Sequence, residues 1–201
     1  MKESYFFAYG SLVNRNTHQY ADCSLARLHG WRRVWRHTNL RPIAYLTVEP
    51  DPCCEVDGLI AHVPNGDWST LDYRESAYDR INIKHVISHP KLETIDVAMY
   101  SLPNDRHSQP TGEQPVLLSY IDTVVQGYNR EFGERGVENF FNTTSGWTAP
   151  ILDDRHRPIY PRHQKLSPRE TALIDANLRR IGNTPVNLSK GDSATWLGAC
   201  A

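Results

Sequence analysis

The 201-residue chain has few cysteines, only four, and two of them, Cys53 and Cys54, are adjacent. Four cysteines are too few for a disulfide scaffold, and an adjacent pair is typical of a reducing compartment. No apolar run approaches the ~20 residues that a membrane-spanning helix requires, and the apolar stretch after Met1 is too short for a signal peptide. These absences predict a cytoplasmic protein without a membrane partner.

A large net charge of either sign is also lacking, because 22 lysines and arginines nearly cancel 23 aspartates and glutamates. The formal charge of -1 gives no electrostatic basis for a dedicated nucleic-acid-binding protein. Hydrophobic residues make up 39% of the chain, which is close to the globular average, so a packed core is feasible. The length fits one domain, or one domain with an appendage.

The first hundred residues are predicted to form mostly strands. They contain short β-prone segments bounded by turn signals, at 4–9, 24–37, 43–48, 55–63, 78–88 and 94–102. Pro50 and Pro52 are expected to break the chain between two of these strands, and Gly58 predicts a bulge or a close backbone approach. Residues 67–77 are predicted to form a short helix with Asp67 as its N-cap.

The second half of the chain is predicted to be helical, with helices at about 116–133 and 136–142 and a third that begins after Ser167 in a capping box. We therefore expect an α+β fold, a small mixed, barrel-like β-sheet with a C-terminal helical appendage. The expected division is a β-rich catalytic core at 1–104 and a helical extension at 105–201 packed on it.

The first long helix has a wide apolar stripe that needs a cover. The stripe consists of Leu117, Ile121, Val124, Val125, Tyr128 and Phe132. Either the sheet of the same chain or a second subunit would cover it, so monomer and homodimer both stay open. We expect the extension to fold back on its own sheet and to form one wall of a pocket.

Two short segments are candidates for chemistry. The first is the turn Tyr9-Gly10-Ser11-Leu12 after the first strand, whose backbone N–H groups could bind an anion, although such turns are common without function. The second contains Glu75, which shares a helical stripe with apolar residues and should face inward. A buried carboxylate has a raised pKa and suits proton transfer. Alternatively, Glu75 pairs with a neighbouring arginine.

Taken together and in order, these segments resemble the γ-glutamylcyclotransferase superfamily. The resemblance rests on 6–12 (FFAYGSL), 56–59 (VDGL) and 71–75 (LDYRE). The last of these and 30–35 (GWRRVW) are similar to the ChaC-like, glutathione-degrading branch. The resemblance covers about residues 4–102 and leaves the role of the extension open.

The resemblance implies a mechanism in which the α-amine of the substrate attacks its own γ-amide carbonyl and 5-oxoproline is released. It implies that Glu75 is the catalytic general acid and base, and that the substrate is a γ-glutamyl small molecule, either glutathione or a γ-glutamyl amine or amino acid. The implied substrate-binding residues are Tyr9, Gly10, Ser11, Leu12 and Tyr100. No metal and no cofactor are expected. A non-catalytic binding protein on the same fold is the alternative.

Other constellations have less support. Ser11 lacks the Gly-x-Ser-x-Gly elbow of a hydrolase. His156 and His163 match no metal-binding spacing near Asp153 and Asp154. The segment 31–37 alternates tryptophan and arginine, which suits strand packing with arginine stacked on indole better than binding of nucleic acid. One arginine of this segment could also bind a substrate carboxylate.

Overall fold

The computed structural model of the protein describes residues 3–83, 87–91, 94–110 and 114–187, so positions 188–201 of the expected extension lie outside the described residues. Within these ranges the strands are β1 Ser4–Ala8, β2 Ser24–Thr38, β3 Ala44–His62, β4 Asp79–Asn82, β5 Ile87–Ser88, β6 Asp96–Ser101, β7 His107–Ser108, β8 Val116–Leu117, β9 Thr144–Ser145, β10 Ile151–Asp153 and β11 Val186–Asn187. The helices are α1 Ser69–Arg74, α2 Leu118–Asn142 and α3 Pro168–Arg180.

The main sheet is mixed and has the order β4-β6-β1-β3-β2-β5, with β7 and β9 paired to further parts of β2. Strand β1 runs parallel to β6 and antiparallel to β3. A second, three-stranded sheet joins β8, β10 and β11 in parallel. Helices α2 and α3 complete the structure, and the expected α+β class with a mixed, curled sheet is confirmed.

Strands β2 and β3 form one long hairpin, so the expected break at Pro50 and Pro52 is wrong. Trp31 pairs with Pro50 and His29 pairs with Glu55, which leaves Gly30 opposite four residues of β3. Gly30 has φ +75, a left-handed conformation that glycine adopts at little cost. The prolines therefore fall at an irregular part of the ladder, where their missing N–H groups are tolerated.

Gly58 lies in the regular part of this hairpin, opposite Ala26. A Cβ atom there would come within 2.2 Å of the carbonyl oxygen of Ala8 on β1. Of the two explanations that the sequence left open, the close backbone approach is correct.

Two other sequence predictions were also inexact. The expected strand at 78–88 is two strands, because β4 pairs with β6 whereas β5 pairs with β2. Helix α1 is shorter than the expected 67–77, and its N-cap is Trp68. The Asp67 carboxylate accepts the Ser69 N–H at 3.0 Å, so it still satisfies a backbone donor at the start of the helix.

Helix α2 and the sheet share one hydrophobic core. Gly133 has φ +66 and ψ -169, which interrupts the helix between the two segments that the sequence predicted. Within the apolar stripe, Ile121, Val124 and Tyr128 are fully buried against the same chain.

Helix α3 has the predicted capping box, in which Ser167 and Glu170 bond to each other's backbone N–H.

In the described part of the chain, the helices are all too short or too polar to span a bilayer.

Candidate active site

A cavity of about 460 Å³ lies where the turn between β2 and β3, the segment after α1 and the loop after β10 meet. A smaller recess of about 30 Å³ adjoins it. The two share five lining residues, Ser11, Leu46, Glu75, Tyr78 and Tyr120. Tyr9, Gly10, Leu12 and Tyr100 line the recess only. The fold therefore brings all six predicted site residues to one place.

Glu75 ends helix α1, with φ -100 and ψ 30, and its side chain is only 18% exposed. Its Oε1 atom accepts a hydrogen bond from Nε of Arg74 at 3.0 Å. Burial raises the pKa of Glu75, and the positive charges of Arg74 and Arg162 oppose that rise. The carboxylate can therefore exchange a proton closer to neutral pH than an exposed glutamate.

Arg74 fixes this carboxylate to the loop that follows β1. Its guanidinium donates to the Thr17 carbonyl at 2.7 Å, to the Thr17 hydroxyl at 3.2 Å and to the Ser11 hydroxyl at 3.3 Å. Arg80 pairs instead with Asp72 at 3.3 Å. The sequence analysis treated pairing with an arginine as an alternative to a role for Glu75 in the pocket. In the structure Glu75 both pairs with Arg74 and lines the cavity.

The Tyr9–Leu12 segment turns tightly after β1, with N–H of Val13 bonded to the carbonyl of Gly10 at 3.0 Å. Gly10 has φ -117, so it is needed for space and not for a left-handed backbone. A Cβ atom at position 10 would lie 2.7 Å from the hydroxyl oxygen of Tyr120. Among the residues that the structure describes, neither Gly10 nor Leu12 donates its N–H to a protein acceptor. Both residues line the recess, and a backbone N–H group without a protein acceptor can donate to an oxyanion.

The two predicted tyrosines of the site have committed hydroxyl groups. Tyr9 donates to the carbonyl oxygen of Tyr100 at 2.6 Å, and burial raises the pKa of Tyr9. Tyr100 donates to Asp72 at 2.5 Å. Both rings line the recess, while both hydroxyl groups hold neighbouring segments of the protein together.

Helix α2 supports the loop from behind. The buried side chain of Asn14 donates to the carbonyl of Thr123 at 2.9 Å. Gly127 lies so close that a Cβ atom there would be 2.7 Å from the Asn14 nitrogen. The Tyr128 hydroxyl donates toward the carbonyl oxygens of Tyr9 at 3.0 Å and of Asp57 at 2.7 Å. The extension therefore determines the position of the loop that carries the site.

Arg33 completes this support from inside the core. It is fully buried and donates to the hydroxyl oxygens of Tyr128 and Thr143, each at 2.6 Å. Its guanidinium lies 5.0 Å from the ring centre of Tyr128 and 5.1 Å from that of Phe140. Burial lowers the pKa of Arg33. The expected stacking of arginine in this strand occurs, but on tyrosine and phenylalanine and not on indole.

Sequence reasoning missed the aromatic residues that line the main cavity. Tyr120 packs edge-on against Tyr160, with 5.0 Å between the ring centroids. Burial raises the pKa of Tyr120 well above its ordinary value. Tyr78 donates to the carbonyl oxygen of Leu46 at 3.0 Å. Tyr120 follows Leu117 by three positions, so helical spacing could have placed it beside the apolar stripe. No motif marks Tyr160.

Asp154 anchors the loop that contains Tyr160. This buried carboxylate accepts the N–H groups of Ser119 and Ile159, each at 2.8 Å, and the Ser119 hydroxyl at 2.5 Å. It therefore joins the start of α2 to the cavity wall.

Among the described residues, no group of three or more His, Cys, Asp or Glu is arranged to hold a metal ion.

A second anchor lies beside it. Arg155 makes a two-pronged ion pair with Asp122 of α2, at 2.7 and 2.8 Å, and a further contact with Asp175 of α3 at 2.8 Å. Burial raises the pKa of Asp122 in spite of this pairing. The loop after β10 is thus tied to both long helices.

Comparisons with known proteins agree with this architecture. The family described as gamma-glutamyl cyclotransferase, AIG2-like, matches residues 6–119. A solved structure named gamma-glutamyl cyclotransferase aligns over 87% of this chain and 99% of its own, with 16% identity and a TM-score of 0.56. An uncharacterized protein of Homo sapiens, loc79017, gives the same values.

The protein YkqA of Bacillus subtilis also has this fold, with 15% identity and a TM-score of 0.55. That alignment covers 71% of this chain and 54% of YkqA. No protein of curated function matches the sequence significantly.

Proposed function

Because this chain belongs to the gamma-glutamyl cyclotransferase, AIG2-like family, we propose that it is an enzyme that cyclises a γ-glutamyl amide and releases 5-oxoproline. The substrate is a small molecule, glutathione or a γ-glutamyl amine or amino acid. The observation that carries the proposal is the position of Glu75, a mostly buried carboxylate that lines both the main cavity and the recess beside the Gly10 loop.

The proposed reaction balances within one molecule. The α-amino nitrogen of the substrate forms a bond to its γ-carbonyl carbon, and the bond from that carbon to the amide nitrogen breaks. Two protons leave the α-ammonium nitrogen, one before attack and one after it. The departing nitrogen takes one proton as its bond breaks and a second from solvent as the released amine becomes an ammonium group. Nucleophile and electrophile belong to the same substrate, so binding the folded substrate supplies proximity without an enzyme nucleophile, a metal or a cofactor.

Glu75 is the proposed proton carrier. Its raised pKa suits a group that first accepts a proton from the α-amine and then returns one to the leaving nitrogen. Arg74 keeps the carboxylate oriented while Oε2 has no protein donor within the described residues. This free oxygen is the atom that we assign to the transferred proton.

The Gly10–Leu12 turn is the proposed oxyanion site. Developing negative charge on the γ-carbonyl oxygen, or the α-carboxylate of the substrate, would accept the unused N–H groups of Gly10 and Leu12. The ring faces of Tyr9 and Tyr100 would enclose the aliphatic part of the γ-glutamyl group in the recess.

A substrate screen tests the proposal. Purified protein is incubated with glutathione, γ-glutamyl amino acids and γ-glutamyl amines, and 5-oxoproline is quantified by mass spectrometry. We expect release from at least one class. Glu75→Gln protein, incubated in the same way, serves as the blank. Binding without release from any class would instead support a non-catalytic protein on this fold.

We further propose that the protein acts in the cytoplasm and needs no second subunit to complete this site. The cavity is lined within one chain, and the apolar stripe is buried against the same chain except for the partly buried Phe132. Residues 1–104 would supply the proton chemistry and residues 105–201 the support and part of the cavity wall.

A further inference from the structure

Two arginines on different walls of the cavity form no ion pair with any acidic residue that the structure describes. Arg41 lies in the turn between β2 and β3, and Arg162 lies in the loop after β10. Within the described ranges, no carboxylate is within 4.0 Å of either guanidinium. Both residues are exposed, as is their neighbour Leu40 at 55%, so they mark the open side of the cavity.

The charge of the lining is therefore unbalanced. Its charged residues are Arg41, Arg74, Glu75 and Arg162. Arg74 and Glu75 pair with each other, which leaves the two outer arginines as an excess of positive charge. Arg162 and Glu75 line the same cavity, and the positive charge of Arg162 opposes the rise in the pKa of Glu75.

We propose that the group released by this enzyme carries a carboxylate, as an amino acid or a dipeptide does, and that Arg41 and Arg162 bind it. The inference rests on the proposed function, because it assigns the γ-glutamyl group to the inner recess and the departing group to the open side. A carboxylate there gains charge-assisted hydrogen bonds from guanidinium groups. A cationic amine would meet like charge, and a neutral one would gain nothing from these side chains.

A matched pair of substrates isolates this contact. γ-Glutamyl-alanine and γ-glutamyl-alaninamide differ only in a carboxylate against a carboxamide on the departing group. We expect kcat/KM for the acid to exceed that for the amide by ~10-fold or more, a factor that corresponds to about 1.4 kcal/mol. Rising ionic strength should lower the value for the acid and leave that for the amide unchanged.

Three variants assign the preference to residues. Arg162→Met and Arg41→Met should each lower the ratio of kcat/KM for the acid to kcat/KM for the amide, and this ratio cancels any change at Glu75 that affects both substrates alike. Arg162→Lys keeps the charge but loses the bidentate geometry of a guanidinium, so its preference for the acid should lie between those of the parent and Arg162→Met. Arg157→Met is the control, since Arg157 is an exposed arginine of the same loop that does not line the cavity. It removes the same charge and should leave the preference intact.

The outcomes separate the two proposals. Release of 5-oxoproline from acid and amide at equal rates, or equal losses on both substrates in Arg41→Met and Arg162→Met, would overturn the inference and leave the proposed function standing. Absence of release from these substrates, from glutathione and from γ-glutamyl amines would refute the proposed function and the inference with it. Thermal unfolding of each variant establishes that it is folded.

Discussion

One wall of the cavity comes from the N-terminal half of the chain and another from the C-terminal half. The first contains a network of polar groups, because Arg74 joins Glu75 to Ser11 and Thr17, and it also contributes Tyr78 and the exposed Arg41. The second presents aromatic faces and an exposed arginine. Its polar anchor, Asp154, lies behind the lining and not in it.

This difference separates two tasks. A group that exchanges protons must be held within hydrogen-bond geometry, so its neighbours are fixed by several short contacts. A wall that selects a departing group needs shape and charge at its surface, and its supports can lie deeper. If this division holds, changes in the network around Glu75 should affect turnover, whereas changes in the outer lining and its supports should affect substrate preference and stability.

The largest effect is expected from Glu75→Gln. The amide keeps the shape of the side chain but cannot accept the proton, so turnover should fall by ~10²–10⁴-fold. Release of 5-oxoproline measures the loss, and circular dichroism shows whether the fold survives. Glu134→Gln, an exposed glutamate of α2, is the control and should have normal turnover. Near-normal turnover in Glu75→Gln would rule out the proposed mechanism.

Val124→Asp tests whether the extension depends on the core of its own chain. Val124 is fully buried in α2, and an unpaired charge there should cost about 3–5 kcal/mol of the free energy of unfolding. Denaturant unfolding measures this cost, with Val124→Ala as a smaller, uncharged change. A stable monomeric Val124→Asp protein from a dimeric parent would show instead that a second subunit covers the stripe.

Gly10→Ala examines the point where the two walls meet. The new Cβ would lie 2.7 Å from the Tyr120 hydroxyl oxygen, and overpacking of this kind costs about 1–3 kcal/mol. Substrate affinity should fall more than thermal stability, because the displaced atoms line the cavity. Tyr120→Phe removes the obstructing oxygen, so the double variant should recover part of the lost stability. Equal losses in single and double variants would contradict the close packing described here.

Much of the fold was predictable because local signals agreed with the global structure. β-Prone segments bounded by turn signals located β1, β2 and β6, and the capping box at Ser167 located α3. The breaks at Pro50 and Pro52 were predicted wrongly because a bulge opposite Gly30 accommodates them, which no local pattern reveals. The small parallel sheet of β8, β10 and β11 depends on pairings between distant two- and three-residue segments, which leave no periodicity to detect.

The candidate site was only half predictable for the same reason. Glu75 and Gly10 stand in short ordered motifs, so the resemblance locates them. Tyr160 and Arg162 reach the cavity because Asp154, which is not itself in the lining, accepts backbone N–H groups from two segments. Such a contact joins residues that are distant in sequence, and an aspartate in a loop gives no sign of its partner.

Asp154→Asn is expected to have a moderate effect. Asparagine offers one acceptor oxygen where the carboxylate uses two, so a buried N–H or hydroxyl loses its partner at a cost of about 1–3 kcal/mol. The melting temperature should fall, and KM should rise because the Tyr160 loop loosens. Asp153→Asn is the matched control, because Asp153 makes a single 3.1 Å bond to the Arg155 N–H. Similar effects of the two changes would contradict the special role of Asp154.

The smallest effect concerns the stability of the inactive Glu75→Gln protein as pH changes. Burial raises the folded-state pKa of Glu75 above its unfolded value, so the folded parent binds the proton more tightly than the unfolded chain does. The resulting stabilisation is full below the unfolded pKa and is lost as pH rises through the raised folded pKa. As pH rises through this raised pKa, the parent acquires an ionised carboxylate that burial disfavours, whereas glutamine carries no charge at any pH. Glu75→Gln should then melt slightly higher than the parent at pH 7, by a few degrees at most, since ~1 kcal/mol corresponds to about 2–4 °C in a chain of this size. The difference should shrink as pH falls toward the ordinary range of glutamate, where the parent also becomes neutral.

The Arg74 contact works against this gain, because it favours the ionised form. A melting temperature for Glu75→Gln that lies below that of the parent at pH 7 and converges with it in acid would mean that the ion pair outweighs burial, and that Glu75 is held in place for stability more than for proton transfer.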